Sequence, residues 1–239
     1  MIKDSKHKEW EDSYSKGHNN ILYPQTEVVK FLNRNVRKKM DSSGNFTEIL
    51  KPSNQNRLRC LDFACGLGVH SILCEEFEIE CFGVDISKTA IHKAQKNARG
   101  KGFNELSDRF LILDESKTEL PFIDNYFDFA IAESCLDSMY FEIASEYYKE
   151  IKRVTKKYIY FSLIAADSEI ENRFEDIVLD RDLERGTIQS YFNLDRINEL
   201  IGDDFKNITE LVKKTESEVL KKGSNIESRY YGVIDLESN

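Results

Sequence analysis

The chain has 239 residues, enough to bury a sizeable core as one large α/β domain with or without a small appendage. Hydrophobic residues make up 40% of it and aromatic residues 11%, which predicts a globular protein and excludes a disordered one. The net charge of −9 argues against a broad nucleic-acid-binding face. The sequence has no 18-residue apolar run and no apolar N-terminal leader, so we expect a cytoplasmic protein with no membrane partner.

Five cysteines, an odd number without a C-x-x-C pair, lie mostly within apolar runs. This pattern is typical of buried thiols in a reducing compartment and predicts no metal site. The cysteines are Cys60, Cys65, Cys74, Cys81 and Cys135.

Two helical patterns separated by a break are predicted in residues 8–32. Trp10, Tyr14 and His18 recur at every fourth position, which places them on one helix face if the first helix extends that far. Pro24 suits the first turn of the second helix.

The segment RLRCLDFACGLGVHSILCEEFEIECFGVDIS, residues 57–87, predicts a strand, a Gly-rich turn, a helix and a second strand. Gly66 and Gly68 let backbone N–H groups approach a ligand, because no Cβ stands in the way. Asp85 ends the second strand, 17 residues after Gly68, where its carboxylate can accept hydrogen bonds from a ribose diol. The unit therefore predicts a site for a nucleoside-containing cofactor.

Two details of the turn distinguish between cofactor classes. A dinucleotide site usually requires a third glycine, at the position where this chain has Ser71. Asp62, just before the turn, would repel a pyrophosphate but attract an ammonium or a sulfonium. The turn favours S-adenosylmethionine (SAM) over NAD, and a nucleotide-dependent oxidoreductase is the disfavoured alternative.

The segments LDFACGLG and GVDIS resemble the first two motifs of the class I SAM-dependent methyltransferases, with Ala64 where the family has glycine. The resemblance implies a Rossmann-like three-layer α/β sandwich with a seven-stranded, mostly parallel sheet, an antiparallel last strand and a helical N-terminal lid. It divides one compact unit into a lid and connection (1–56) and a methyltransferase domain (57–239) with a substrate-recognition insert at about 166–193. SAM would be the cofactor and S-adenosylhomocysteine (SAH) the product.

The later segments match the family in order. RFLILD predicts the third strand, ELPFIDNYFDFAIAES leads into the fourth, and RVTKKYIYFSLIA contains the fifth. ITELVKKTES and RYYGVIDL predict the last two strands, paired antiparallel at the sheet edge.

The resemblance also implies three sets of site residues. The cofactor contacts are Asp62, Ala64, Cys65, Gly66, Gly68, Asp85, Ile86, Asp114, Glu115 and Glu133. The substrate contacts are Tyr14, Asn19 and Tyr23 in the lid and Arg185, Gln189 and Tyr191 in the insert. His18 and Asp137 are candidate bases, needed only if the acceptor loses a proton early.

Structural alternatives exist for each set. The N-terminal segment could be an amphipathic helix packed on the sheet, Asp114 a turn-initiating residue, and the charged insert a solvated face. For function, the leading hypothesis is methyl transfer to a small polar molecule, such as a sugar or metabolite hydroxyl or carboxylate. A protein or RNA methyltransferase and a noncatalytic binding protein of the same fold are the alternatives.

Overall fold

The computed structural model describes residues 6–42, 44–52, 57–166, 176–180, 184–217 and 226–238. The α-helices in these ranges are α1 His7–Lys16, α2 Thr26–Phe31, α3 Val69–Glu76, α4 Lys88–Gly100, α5 Asn104–Ser107, α6 Phe141–Val154 and α7 Leu194–Ile201. The strands are β1 Arg37–Lys39, β2 Phe46–Glu48, β3 Arg59–Phe63, β4 Glu80–Asp85, β5 Phe110–Ile112, β6 Phe127–Ala132, β7 Thr155–Ile164, β8 Asp176–Val178, β9 Ile188–Ser190, β10 Ile208–Ser217 and β11 Ile226–Asp235. A π-helical turn at Leu32–Val36 follows α2, and a 3-10 helix at Gly202–Asn207 follows α7.

Seven strands form the central sheet, in the order β10-β11-β7-β6-β3-β4-β5. Strands β3 to β7 are parallel to their neighbours among themselves, and β11 runs antiparallel to both β7 and β10. This order confirms the predicted Rossmann-like fold with its antiparallel last strand.

Helices cover both faces of the sheet, because alternate side chains of its central strands point to opposite faces. Leu61 of β3 packs in the core beneath α6 and α7, whereas its neighbour Cys60 packs in the core beneath α2, α3 and α4. Every residue of β6 is buried, as expected of a parallel strand with both faces covered. The three-layer arrangement is the one the sequence predicts.

Helix α4 begins at the carboxyl edge of the sheet, directly after β4. The hydroxyl of Ser87 accepts a hydrogen bond from the Ala90 N–H (3.1 Å) and caps the helix. A stripe of small and aliphatic residues, including Ile91 and Ala94, is buried against the sheet. The start of α4 is thereby fixed beside Asp85.

The N-terminal segment has the predicted break between its two helices. Helix α1 ends at Lys16 because Gly17 adopts a left-handed conformation (φ 80°), and α2 begins at Thr26. Val28 and Phe31 of α2 are buried in the core. The boundary at residue 57 between lid and catalytic domain remains a prediction.

Part of the predicted insert at 166–193 is described, and residues 167–175 and 181–183 lie outside the described ranges. The described part contains β8 and β9, which pair antiparallel as a separate two-stranded sheet. Among the described helices, none has the length and apolar character needed to cross a membrane.

Candidate cofactor and acceptor site

A cavity of about 320 Å³ opens at the carboxyl ends of the parallel strands. Its walls come from the turn after β3, the ends of β4 and β6, strand β11, helix α1 with its following loop, and the β8–β9 hairpin with its loop. Open parallel sheets bind ligands at this edge, where neighbouring crossovers diverge.

The turn after β3 forms one wall of the cavity through Ala64, Cys65, Gly66 and Leu67. Ala64 and Gly66 have left-handed conformations, with φ of 53° and 52°. A Cβ on Gly66 would lie 2.8 Å from the Tyr14 hydroxyl, so only glycine fits beneath this ring. The turn therefore presents bare backbone to the cavity, as a close-binding ligand requires.

Asp85 lies at the end of β4 and lines the same part of the cavity. Its Oδ2 accepts a hydrogen bond from the Gly66 N–H and its Oδ1 from the Ser87 N–H, both at 2.9 Å. Burial raises the pKa of Asp85 to about 6, against the opposing effect of these N–H groups. Because each carboxylate oxygen can accept a second hydrogen bond, Asp85 can still accept hydrogen bonds from the two hydroxyls of a ribose.

Two predicted cofactor contacts of the turn support it from beneath and do not line the cavity. A Cβ on Gly68 would come within 2.6 Å of Phe110 Cζ and 3.0 Å of Ala94 Cβ, so this glycine permits close packing of the chain. Asp62 accepts a hydrogen bond from the Ser71 hydroxyl (2.5 Å), and burial raises the pKa of Asp62 well above its usual range. Ser71, at the position of the missing third glycine, thus has a structural partner.

Asp114 and Glu115 also lie outside the cavity lining. Asp114 is exposed, and its Oδ1 accepts hydrogen bonds from the N–H (3.0 Å) and hydroxyl (2.7 Å) of Ser116, which lower the pKa of Asp114. This is the geometry of a turn-initiating aspartate, the alternative considered for it. Glu115 instead pairs with the N-terminal helix, its Oε2 lying 2.6 Å from His7 Nδ1.

Helix α1 is held over the cavity by polar contacts with the start of α4. The Glu11 carboxylate accepts hydrogen bonds from the Ser87 hydroxyl (2.6 Å) and the Thr89 hydroxyl (2.5 Å). Lys93 Nζ donates to the Tyr14 carbonyl (2.5 Å) and to Asn20 Oδ1 (3.1 Å). These contacts dock the N-terminal segment as a cover on the cavity.

Three of the predicted lid residues line the cavity, and one does not. Tyr14, Asn19 and Tyr23 contribute to the lining, with Tyr23 67% exposed. His18 does not, because the helix has ended at Lys16 and His18 no longer follows the face that carries Tyr14. Its backbone N–H donates to the Ser13 carbonyl (3.1 Å), and the geometry does not support it as a base.

Glu133 follows directly after β6 and lines the cavity, as do Arg229 of β11 and the turn of residues 64–67 after β3, which we call the cofactor turn. Its Oε1 accepts a hydrogen bond from the Ser134 hydroxyl (2.8 Å) and its Oε2 from the Tyr160 hydroxyl (2.7 Å). Burial raises the pKa of Glu133, although these hydroxyls and the charge of Arg229 oppose the shift.

Asp137, the other candidate base, is fully buried and does not line the cavity. Its Oδ2 accepts hydrogen bonds from the Ile164 N–H and from Arg229 Nη1, both at 2.8 Å, and its Oδ1 accepts one from the Ser138 hydroxyl (3.2 Å). Asp137 is therefore the counter-ion of Arg229 and a support for the end of β7, a position that does not suit a base.

The insert brings one of its three predicted substrate residues to the cavity. Gln189 lines it. Tyr191 lies behind, its hydroxyl donating to Gln189 Oε1 (3.2 Å), and Arg185 is exposed, with its Nη1 3.5 Å from Asp180 Oδ1. The insert also contributes Glu184 to the lining.

Besides Glu184, sequence reasoning missed His70 and Arg229, two further titratable side chains of the cavity. His70 lines it at the start of α3, and its Nε2 accepts a hydrogen bond from the Gln25 N–H (3.2 Å). Burial lowers the pKa of His70 to about 4, which keeps it neutral. Arg229 enters the lining from β11, and its neighbours in sequence carry no signal for this position. The nearest signal for His70 was its position two residues after Gly68.

Known proteins share this fold. A family model described as a methyltransferase domain matches residues 54–222. A SAM-dependent methyltransferase from Methanosarcina mazei is similar in structure, with 23% identity, a TM-score of 0.58 and coverage of 76% of this chain and 93% of that one. Another from Anabaena variabilis has 17% identity, a TM-score of 0.59 and coverage of 98% and 96%.

A curated relative, an uncharacterized protein from Haemophilus influenzae, is 31% identical over 99 residues. That alignment covers 41% of this chain and 38% of the relative, so it extends over well under half of either protein. The family model, in contrast, spans more than half of this chain, including the cofactor turn, Asp85 and Glu133. The chain belongs to the class I SAM-dependent methyltransferase family, which implies SAM as its cofactor.

Proposed function

We propose that the protein transfers the methyl group of SAM to a small polar acceptor that carries a hydroxyl or a carboxylate, such as a sugar or another metabolite. The observation that carries this proposal is the cavity, which runs from the cofactor turn to Gln189 and Arg229 while α1 covers it. A partly covered cavity of this kind favours a small acceptor, whereas a macromolecule would have to displace α1. The net charge of −9 argues against an enzyme that acts on nucleic acid. The five free, buried cysteines fit a reducing compartment such as the cytoplasm.

The chain's own groups fit the cofactor. The backbone of Ala64, Cys65 and Gly66 would hold its adenosyl-methionine core, and Asp85 would accept hydrogen bonds from its ribose. When bound, SAM supplies the electrophilic methyl group. The protein's part is to place the acceptor in line with that group and to exclude water under α1, and such positioning lowers a barrier by roughly 7 to 11 kcal/mol at its upper range.

A hydroxyl acceptor needs a group that takes up its proton, and we assign this role to Glu133. It faces the cavity, and its raised pKa brings it toward the range of an effective base. The alternatives are less suited, since Asp137 is occupied by Arg229 and His18 lies outside the lining. Glu133→Gln is expected to lower kcat by about 10²-fold or more for a hydroxyl acceptor, and to have a smaller effect for a carboxylate acceptor.

The test is incubation of the full chain with methyl-labelled SAM and a cell extract that has been separated into small molecules and macromolecules. Label in the small-molecule fraction supports the proposal, and mass spectrometry then identifies the acceptor. Label in macromolecules alone would assign the protein to the protein or RNA methyltransferases. Tight SAH binding without any labelled product would indicate the noncatalytic alternative, and the Asp85→Asn protein controls for label that does not depend on the cofactor site.

A further inference from the structure

Three of the five cysteines meet in the core beneath α3 and α4. Cys60 and Cys81 occupy directly paired positions on the parallel strands β3 and β4, and Cys74 reaches the same face from α3. All three are 0% exposed. Their Sγ atoms all lie within 4.8 Å of one another.

We propose that Cys60, Cys74 and Cys81 form a buried three-thiol site for a soft, thiophilic metal ion such as Cu(I). This site is separate from the methyl-transfer cavity, whose lining includes none of the three. It was not predicted from the sequence, because its ligands come from two strands and a helix and have no C-x-x-C spacing.

The geometry permits three-coordinate binding after a small contraction. Three Sγ atoms at the corners of a triangle with 4.8 Å sides would each lie about 2.8 Å from its centre, the upper limit set by their separation. A zinc–thiolate bond is about 2.3 Å long, and first-row metals bind thiolate sulfur at similar distances. Each sulfur thus has to move inward by about 0.5 Å at most, which rotation about the side-chain bonds can supply.

The ligand set favours a soft ion of low coordination number. Binding would release protons from the three thiols, because the thiolate is the form that binds a metal ion. Thiolate ligands suit Cu(I) and Zn(II). Zinc normally takes a fourth ligand, and the described residues offer three at this place, so the site favours Cu(I).

Burial determines how the ion enters. With no exposed sulfur, the folded protein must open locally before an ion can reach the site, so we expect slow loading of the native protein. Refolding from urea in the presence of the ion should fill the site within the folding time.

The experiment is anaerobic titration of the reduced full chain with Cu(I), competing against a chromogenic Cu(I) chelator, before and after refolding from urea. We expect one Cu(I) per refolded chain, with at least tenfold weaker retention in Cys74→Ser and Cys60→Ser. The matched control is Cys65→Ala with Cys135→Ala, which removes the two remaining thiols and should keep the full equivalent. Retention that survives both serine variants, or that disappears in the control, would overturn the proposal.

X-ray absorption of the copper-loaded wild-type protein decides the matter even if the serine variants do not fold. Three sulfur neighbours at one distance support the site. A refolded wild-type chain that takes up no Cu(I), or copper coordinated by nitrogen and oxygen, refutes it.

Discussion

Replacing Asp85 with asparagine tests the cofactor site most directly. The carboxylate accepts N–H hydrogen bonds from Gly66 and Ser87 and lines the cavity where we place the ribose. Asparagine retains the size but removes the charge and one acceptor oxygen. Loss of one charge-assisted hydrogen bond costs about 1.5 to 3 kcal/mol, which corresponds to roughly 10- to 150-fold weaker binding.

The assay is isothermal calorimetry with SAH at pH 7.5, where wild-type Asp85 is ionised because its pKa is about 6. Asp203→Asn removes one exposed carboxylate elsewhere and should leave SAH affinity unchanged. If Asp85→Asn also binds SAH within twofold of the wild-type affinity, Asp85 does not hold the ribose and the placement of the cofactor is wrong.

The pH dependence gives an independent test of the same residue. At pH 5 about nine in ten Asp85 side chains would be protonated, so SAH affinity of the wild-type protein should fall about tenfold between pH 7 and pH 5 beyond any change in Asp85→Asn. Stability should shift in the opposite direction. The folded-state pKa of Asp85 lies above the unfolded value of about 3.9, so its ionisation destabilises the fold. Between pH 7 and pH 5 the free energy of unfolding of the wild type should therefore rise by about 1 kcal/mol relative to that of Asp85→Asn.

Three further variants test the lid, the packing beneath the turn and the buried ion pair. Glu11→Gln weakens the docking of α1 on α4 and should raise the SAH dissociation rate about tenfold in stopped-flow experiments, whereas Asp12→Asn on the same helix should not. Gly68→Ala should lower the free energy of unfolding in urea by about 2 to 5 kcal/mol, because the new Cβ adds a clash to the strain of a left-handed backbone. The control is Gly102→Ala, which has the same backbone strain and no clash and should cost about 1 to 2 kcal/mol. Asp137→Asn leaves the Arg229 guanidinium, which is 24% exposed, without its paired carboxylate and should cost about 1.5 to 3 kcal/mol in the same assay; a cost below 1 kcal/mol would mean that the pair is dispensable.

The fold could be predicted because its signals are local. The short buried run of β3, the run of β6 that is apolar except for Asp128, and the Ser87 cap of α4 are each encoded within a few residues. The motifs follow one another along the chain in the same order as in the methyltransferase family, and this resemblance predicted the order of the strands in the sheet. Glycine-turn geometry and the position of Asp85 followed from the same short segment.

The far end of the site could not be predicted, because the sheet assembles it from distant residues. Arg229 reaches Asp137 across 92 positions, and without that partner Asp137 looked like a free carboxylate. The predicted position of His18 at the cavity was wrong for a different reason. The four-residue period continued past Lys16, but the left-handed Gly17 ended the helix before the period could place His18 over the cavity. The cysteine cluster, likewise, exists only once β3, β4 and α3 have packed together.

The placement of β11 between β7 and β10 has a consequence for biogenesis. Since synthesis proceeds from the N-terminus, β10 leaves the ribosome before the strand that joins it to the rest of the sheet, and it has no hydrogen-bonding partner until β11 follows. Arg229 arrives on that same late strand, so a nascent chain that already carries the complete cofactor turn still lacks the β11 wall of the cavity. Completion of the cavity therefore waits for β11, and truncation within β11 would leave the edge of β7 open to pairing with other chains.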